Sequence, residues 1–185
     1  MIYSRDLSVG FELDISALKQ VQESYNNLDQ MMIFKMSTVD KNLLRFLDAL
    51  DLYVSHSEIF YTPPKGKLPI HVDHDEFSNR CKLNWVFGAE GSRMIWWEKK
   101  PGVELKYHTT PIKTRYLMFD QADCIQLYSA EINQPSLVNV GVPHSVDNMT
   151  DQGRWCMSYV IGKKKDHTNL QWDEAQTIFN DYFEE

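Results

Sequence analysis

Residues 53–162 constrain the fold most, because short β-branched and aromatic runs alternate there with turn signals. The runs are Glu58 to Tyr61, Leu68 to Val72, Lys82 to Phe87, Met94 to Trp97, Arg115 to Phe119, Ile125 to Tyr128, Leu137 to Val142 and Trp155 to Ile161. Pro63-Pro64-Lys65-Gly66, Gly88-Ala89-Glu90-Gly91 and Lys100-Pro101-Gly102 punctuate them, and such residues stop strands and supply turns. About eight short strands at this spacing predict a sandwich or jelly roll. Five Trp, nine Tyr and nine Phe suit strands and a lined pocket better than a helical bundle.

Helical patterns flank this region. Asp14-Ile15-Ser16 offers N-caps before Leu18, Val21 and Tyr25, which are close to helical spacing. A second helix is expected from about Asp40, with Leu43, Leu44, Phe46, Leu47 and Leu50 on one broad apolar face. After His167, the residues Trp172, Ala175, Ile178 and Phe179 are compatible with one buried helical face. Helix, strands, then helix is an α+β order. No composition shift marks a boundary in the 185 residues. The expected organisation is a single domain with a helical brace at 1–52, a strand-rich core at 53–162 and a C-terminal helix at 163–185.

The net charge of −7 argues against general nucleic-acid binding, which needs a broad positive surface. Lys163-Lys164-Lys165 is the one basic run and reads as a solvated turn after a strand. Cys81, Cys124 and Cys156 are widely spaced and form no Cys-x-x-Cys pair. Neither a disulfide framework nor a structural zinc site is indicated, and free thiols fit a reducing cytosol. The N-terminus has no charged-then-apolar leader pattern, and no uncharged apolar run approaches the ~18–20 residues of a membrane span. The expected location is cytoplasmic, with no membrane partner.

Within the strand region stands His71-Val72-Asp73, with His144 following 73 residues later and Arg154 ten residues after that. Residues i and i+2 of a strand share a face with Cα atoms roughly 6.5 Å apart, so both side chains can meet one metal. With six His and fifteen Asp, chance alone supplies such a pair readily. Two His-x-Glu pairs also compete, His56-Ser57-Glu58 and His74-Asp75-Glu76. Context favours His71 and Asp73, because Leu68-Pro69-Ile70 leads into them as an apolar strand, whereas His74 opens a polar stretch. His144 follows the apolar run Leu137 to Val142 and a stiff Pro143. Two neutral imidazoles and one carboxylate suit a non-haem Fe(II) centre with open positions.

Arg154 gives that set its meaning. Alternation through Arg154 to Ile161 puts Arg154, Cys156, Ser158 and Val160 on one face and Trp155, Met157, Tyr159 and Ile161 on the other. An inward arginine needs an anion. A dicarboxylate co-substrate, chelating the iron at one end and held by Arg154 at the other, supplies one. Ser158 offers a hydroxyl donor to the same carboxylate.

His-x-Asp, a distal His and an Arg ten residues on resemble the pattern of the Fe(II)/2-oxoglutarate-dependent oxygenases, over roughly residues 60–162. The resemblance implies a double-stranded β-helix (jelly roll, cupin-like) braced by the terminal helices. It implies iron ligation by His71, Asp73 and His144, with Arg154 on the distal carboxylate of 2-oxoglutarate. Asn79 to Trp85 and Val142 to Asn148 look most like the aspartyl/asparaginyl β-hydroxylase-like branch and related small bacterial and phage oxygenases. In that branch, basic residues nine and eleven places beyond the first ligand hold the metal-proximal carboxylate; here those are Arg80 and Lys82. The chain departs from the branch in keeping the acid Asp73, and from the wider Arg-x-Ser pattern in placing Cys156 where Ser is common.

The resemblance further implies hydroxylation of a C–H bond in an amino acid, peptide or other small polar substrate, with release of succinate and CO2. No protein nucleophile or general base is needed. Trp85 and Trp97 are candidate walls of the substrate pocket, and the insertion from Lys99 to Arg115 is a candidate lid. The competing reading is a non-catalytic cupin-like metal-binding protein, which has no use for Arg154.

Overall fold

The computed structural model describes residues 2–25, 28–109, 113, 115–132 and 135–184. Twelve strands lie among them: β1 (Ser4–Asp6), β2 (Met32–Lys35), β3 (Leu52–Thr62), β4 (Lys67–Val72), β5 (Cys81–Phe87), β6 (Arg93–Lys99), β7 (Lys106–Thr109), β8 (Arg115–Phe119), β9 (Cys124–Glu131), β10 (Ser136–Asn139), β11 (His144–Asp147) and β12 (Arg154–Lys163). They form two six-stranded sheets, ordered β1-β10-β5-β12-β3-β2 and β7-β8-β4-β11-β6-β9. Every pairing between named strands is antiparallel. Two facing antiparallel sheets, with consecutive strands crossing between them, make a cupin-like jelly roll.

The helices α1 (Ser16–Ser24), α2 (Lys41–Asp48) and α3 (Trp172–Ile178) brace the first sheet on its outer face. Asp40 caps α2 by accepting from the backbone N–H groups of Asn42 and Leu43, satisfying two otherwise orphaned donors. Leu18, Leu43, Leu47, Trp172 and Phe179 from the helical regions meet Leu83, Trp85, Met157, Tyr159 and Ile161 from β5 and β12 in one buried cluster. Period-two alternation sends the other residues of those strands inward, toward the second sheet. One inner end is sealed by Trp96, Val86, Val138 and Cys156, and the other end is left for polar groups.

The N-terminal brace also contributes strands: β1 pairs with β10, and β2 with β3. The run from Leu137 to Val142 is not one strand throughout. β10 ends at Asn139, Gly141 to Pro143 cross over, and His144 opens β11 in the other sheet.

That crossover lies against residues 78–80. Val140 and Gly141 donate their N–H groups to the Arg80 carbonyl at 3.0 and 3.2 Å, and Ser78 donates to the Gly141 carbonyl at 2.9 Å. A Cβ on Gly141 would meet the Ser78 carbonyl oxygen at 2.2 Å and the Arg80 nitrogen at 2.7 Å. These neighbours are backbone and cannot rotate aside, so the approach requires glycine. Beyond β11, Asn148 pins the turn into β12 by donating to the carbonyls of Pro63 at 2.9 Å and Gln152 at 2.7 Å. Gly141→Ala should lower the unfolding free energy by about 1–3 kcal/mol through forced backbone displacement. Urea denaturation measures this, and an unchanged midpoint would show that the crossover has slack.

Candidate metal centre

β4 and β11 are hydrogen-bonded neighbours, with His144 directly opposite His71. The ladder shifts register between His144 and Val146, and such a bulge re-aims side chains near a site. Pro69 lies within it, and proline has no N–H to lose from the ladder. Asp73 follows one residue after β4 ends.

The ring centroids of His71 and His144 are 4.3 Å apart. His71 Nδ1 lies 2.8 Å from the Pro69 carbonyl, and His144 Nδ1 lies 2.9 Å from that of Val142. A carbonyl can only accept, so each Nδ1 carries the hydrogen, and in the neutral ring each Nε2 keeps its lone pair. Both Nε2 atoms face Asp73 Oδ1, at 3.1 Å from His71 and 3.5 Å from His144. One donor atom from each of the three residues lies within 4.8 Å of the others, the one such group of His, Cys, Asp or Glu donors found among the described residues. Three converging lone-pair donors with both outer ring nitrogens already tied to carbonyls are the arrangement that a divalent cation relieves.

The electrostatics keep the donors ready. Burial lowers the pKa of His144, with the His71 ring adding to the effect, so its neutral form is favoured. Burial alone would raise that of Asp73. The Lys82 ammonium, 2.7 Å from Asp73 Oδ2, outweighs it together with His144 and His71, and holds the carboxyl well below its ordinary value. Burial would likewise lower Lys82, but Asp73 and Glu58 raise it. Glu58 lies 3.6 Å from Lys82 and 3.1 Å from His56 Nε2. Asp73 therefore turns one oxygen to the histidines and the other to Lys82.

Arg154 is 3% exposed. Its Nε donates to Ser92 Oγ at 3.2 Å, and no carboxylate among the described residues forms an ion pair with it. Burial pulls its pKa down, partly offset by Cys156, yet a guanidinium stays charged at neutral pH. Ser158 donates to Asn84 Oδ1 at 2.7 Å.

Two hollows share His71, Asp73 and Lys82 as walls. A narrow one of about 40 Å³ is lined by His71, Asp73, His144, Lys82, Ser158 and Arg154. A wide one of about 350 Å³ shares His71, Asp73 and Lys82, and continues past Glu58, Tyr116 and Arg80. The inner face expected for β12 is the one seen: Arg154, Cys156 and Ser158 line the narrow arm and Val160 the wide one.

Other expectations shift. Lys82 was expected on a co-substrate carboxylate; it is ion-paired with Asp73 and Glu58, the anions nearest on the inner side. Arg80 lines the wide arm, apart from Arg154. Trp85 and Trp97 line neither arm. Lys82 faces inward, so Trp85, three residues on, must face outward, where it meets Tyr159 under the helices. Trp96 is the ladder partner of His144 and takes the inner side, leaving Trp97 in the outer cluster with Ile70 and Leu117. The rival histidines pair locally, His56 with Glu58 and His74 with Asp75. The 99–115 insertion includes β7, which pairs with β8; Thr109 and Tyr116 line the wide arm, and Thr110 and Pro111 lie outside the described residues. Phe60 is not singled out by the sequence and Glu58 only as a rival ligand, although alternation from His56 to Thr62 puts both on one face.

No protein-family model matches this chain, and no curated protein matches it. Solved structures to which this chain is similar include an oxidoreductase of the 2OG-Fe(II) oxygenase family from Burkholderia pseudomallei, at 10% identity and TM-score 0.39, covering 72% of this chain and 55% of that one. Oxalate decarboxylase from Bacillus subtilis matches at 13% identity and TM-score 0.31, covering 76% and 27%. Vicilin from Corylus avellana matches at 11% identity and TM-score 0.37, covering 83% and 37%. The chain spans about half the length of the first and less of the others.

Removing Lys82 tests its hold on Asp73. In Lys82→Met the effect of burial is unopposed, so the Asp73 pKa rises and protons compete with metal at higher pH. Mn(II) titrations followed by electron paramagnetic resonance across about pH 5–8 should show the acid limb of affinity displaced upward. Superimposable curves would remove Lys82 from this role.

Proposed function

We propose that this chain is an Fe(II)- and 2-oxoglutarate-dependent dioxygenase that hydroxylates a C–H bond of an amino acid, peptide or other small polar molecule, releasing succinate and CO2. The observation that carries the reading is Arg154. A buried guanidinium lacking an acidic partner among the described residues stands in a narrow arm whose walls include the three metal donors. Desolvating a cation costs several kcal/mol, and an arriving carboxylate offsets that cost. A dicarboxylate bound at the metal by one end and paired with Arg154 by the other answers both demands.

In this reading His71, Asp73 and His144 hold the metal, and Lys82 fixes the orientation and charge of Asp73. Ser158, held by Asn84, gives the narrow arm a polar wall beside Arg154. Bound iron would supply oxygen activation coupled to decarboxylation of 2-oxoglutarate. Phe60, Leu68 and Val140, which border both arms, give the triad apolar neighbours. A protein that only stores metal has no need of a buried arginine that lacks an acidic partner among the described residues. The three cysteines are free and buried, and no described helix is long and apolar enough to cross a membrane; a reducing, cytosolic location is part of the proposal.

Two measurements test it. Succinate should form only with both Fe(II) and 2-oxoglutarate present, and His144→Ala should abolish formation and metal binding together. Arg154→Leu should retain metal while losing at least about tenfold in 2-oxoglutarate affinity, as expected when one partner of a desolvated charge pair is removed. Succinate production by His144→Ala, or undiminished 2-oxoglutarate affinity in Arg154→Leu, contradicts the assignment.

A further inference from the structure

Every carboxylate on the wide arm is already engaged. Asp73 is held by His71, His144 and Lys82, and Glu58 by Lys82 and His56. Lys82 itself is matched by those two acids. Arg80 also lines this arm, half-buried. Its guanidinium has neither an ion pair nor a hydrogen bond among the described residues.

Arg80 is separated from the co-substrate arm. It precedes β5 at an isolated bridge with Gln171, and its place on the inner side is one strand pair outward from Lys82. The narrow arm is lined by Lys82 and Arg154 without it. Its backbone carbonyl receives Val140 and Gly141, which fixes the main chain whatever the side chain is. The rest of the wide arm is mostly apolar, with Ile33, Phe60, Leu68, Met118 and Val160 on its walls. Exposed Met31 and Thr109 stand at its margin. Its volume of about 350 Å³ is at the lower end of the ~300–1,000 Å³ that encloses small molecules.

From these observations we infer that Arg80 reads an anionic group on the prime substrate, and that this substrate is a small carboxylic acid with an apolar body. The inference rests on the oxygenase reading only in calling the occupant of the wide arm the prime substrate. A planar guanidinium matches a carboxylate with two parallel N–H···O bonds. The uncharged amide of the same acid keeps the shape and loses the charge. The apolar walls offer burial to an alkyl or branched side chain, worth roughly 0.8 kcal/mol per buried methylene.

The test uses octanoate with octanamide, and N-acetyl-L-leucine with its amide, as probes. Each is titrated calorimetrically into the Mn(II)-loaded protein, with and without 2-oxoglutarate. Wild type should bind each acid at least tenfold more tightly than its amide. Arg80→Gln, which preserves the backbone contacts, should bind acid and amide alike while its 2-oxoglutarate affinity stays at the wild-type value. Arg154→Leu should keep the preference for acids, because that side chain belongs to the other arm. Equal binding of acids and amides by wild type, no binding of either, or a preference that persists in Arg80→Gln overturns the inference. Loss of 2-oxoglutarate affinity in Arg80→Gln also overturns it, by returning Arg80 to the co-substrate. A wild-type protein that prefers the acids yet binds no 2-oxoglutarate overturns the oxygenase reading alone.

Discussion

A polar interior between two sheets persists only when its charges are matched, and in this jelly roll the match runs through Lys82. The ammonium stands between Asp73 and Glu58, with the ring of Phe60 5.3 Å away. Take it away and two buried carboxylates face a cavity with His56, His71 and His144 as their remaining partners. One of those carboxylates is a donor of the triad. The pair therefore decides two matters together: that the site end of the sandwich can be polar at all, and that Asp73 reaches the histidines as a carboxylate. Elsewhere between the sheets, where Trp96 and Val138 meet, apolar contact does the same work without charge.

The division of labour between the sheets follows from connectivity. The candidate metal donors come from β4, its immediate continuation and β11, which are hydrogen-bonded neighbours in one sheet. Lys82, Ser158 and Arg154 come from β5 and β12, neighbours in the other. The crossover at Gly141, pressed against the backbone of 78–80, links the layers, and Asn148 anchors the return into β12. His71 and His144, 73 positions apart, converge because β4 and β11 pair in one sheet, and Lys82 and Arg154, 72 apart, are brought into the facing layer by the pairing of β5 with β12.

The strand region was legible because strands carry a period of two. Arg154, Cys156 and Ser158 are placed on one face by alternation alone, whereas Lys82 is singled out only by the resemblance. The same rule, applied from Lys82, excludes Trp85 from the interior; treating aromatics as pocket walls by residue type ignored that parity. β1 is three residues of Ser-Arg-Asp and β2 only four, too short for a pattern to emerge, and both gain their strand character from pairing with neighbours distant in sequence. β11 was hidden because Gly141-Val142-Pro143 continues the apolar run before it. Glu58 was visible only as a rival ligand, since its value lies in a contact with Lys82 that no local spacing reveals.

Placing the donors on one layer and the cations on the other has a mechanical consequence. Any molecule that touches both the triad and Arg154 must span the gap between sheets, which packing fixes near ~10 Å in such folds. If the site takes a diacid as proposed, the sandwich would act as a gauge of chain length: a shorter diacid would fail to reach across, and a longer one would have to buckle. Selectivity for one homologue over the next would then arise from the thickness of the protein itself, held by the apolar packing of Trp96, Val86 and Val138 between the sheets.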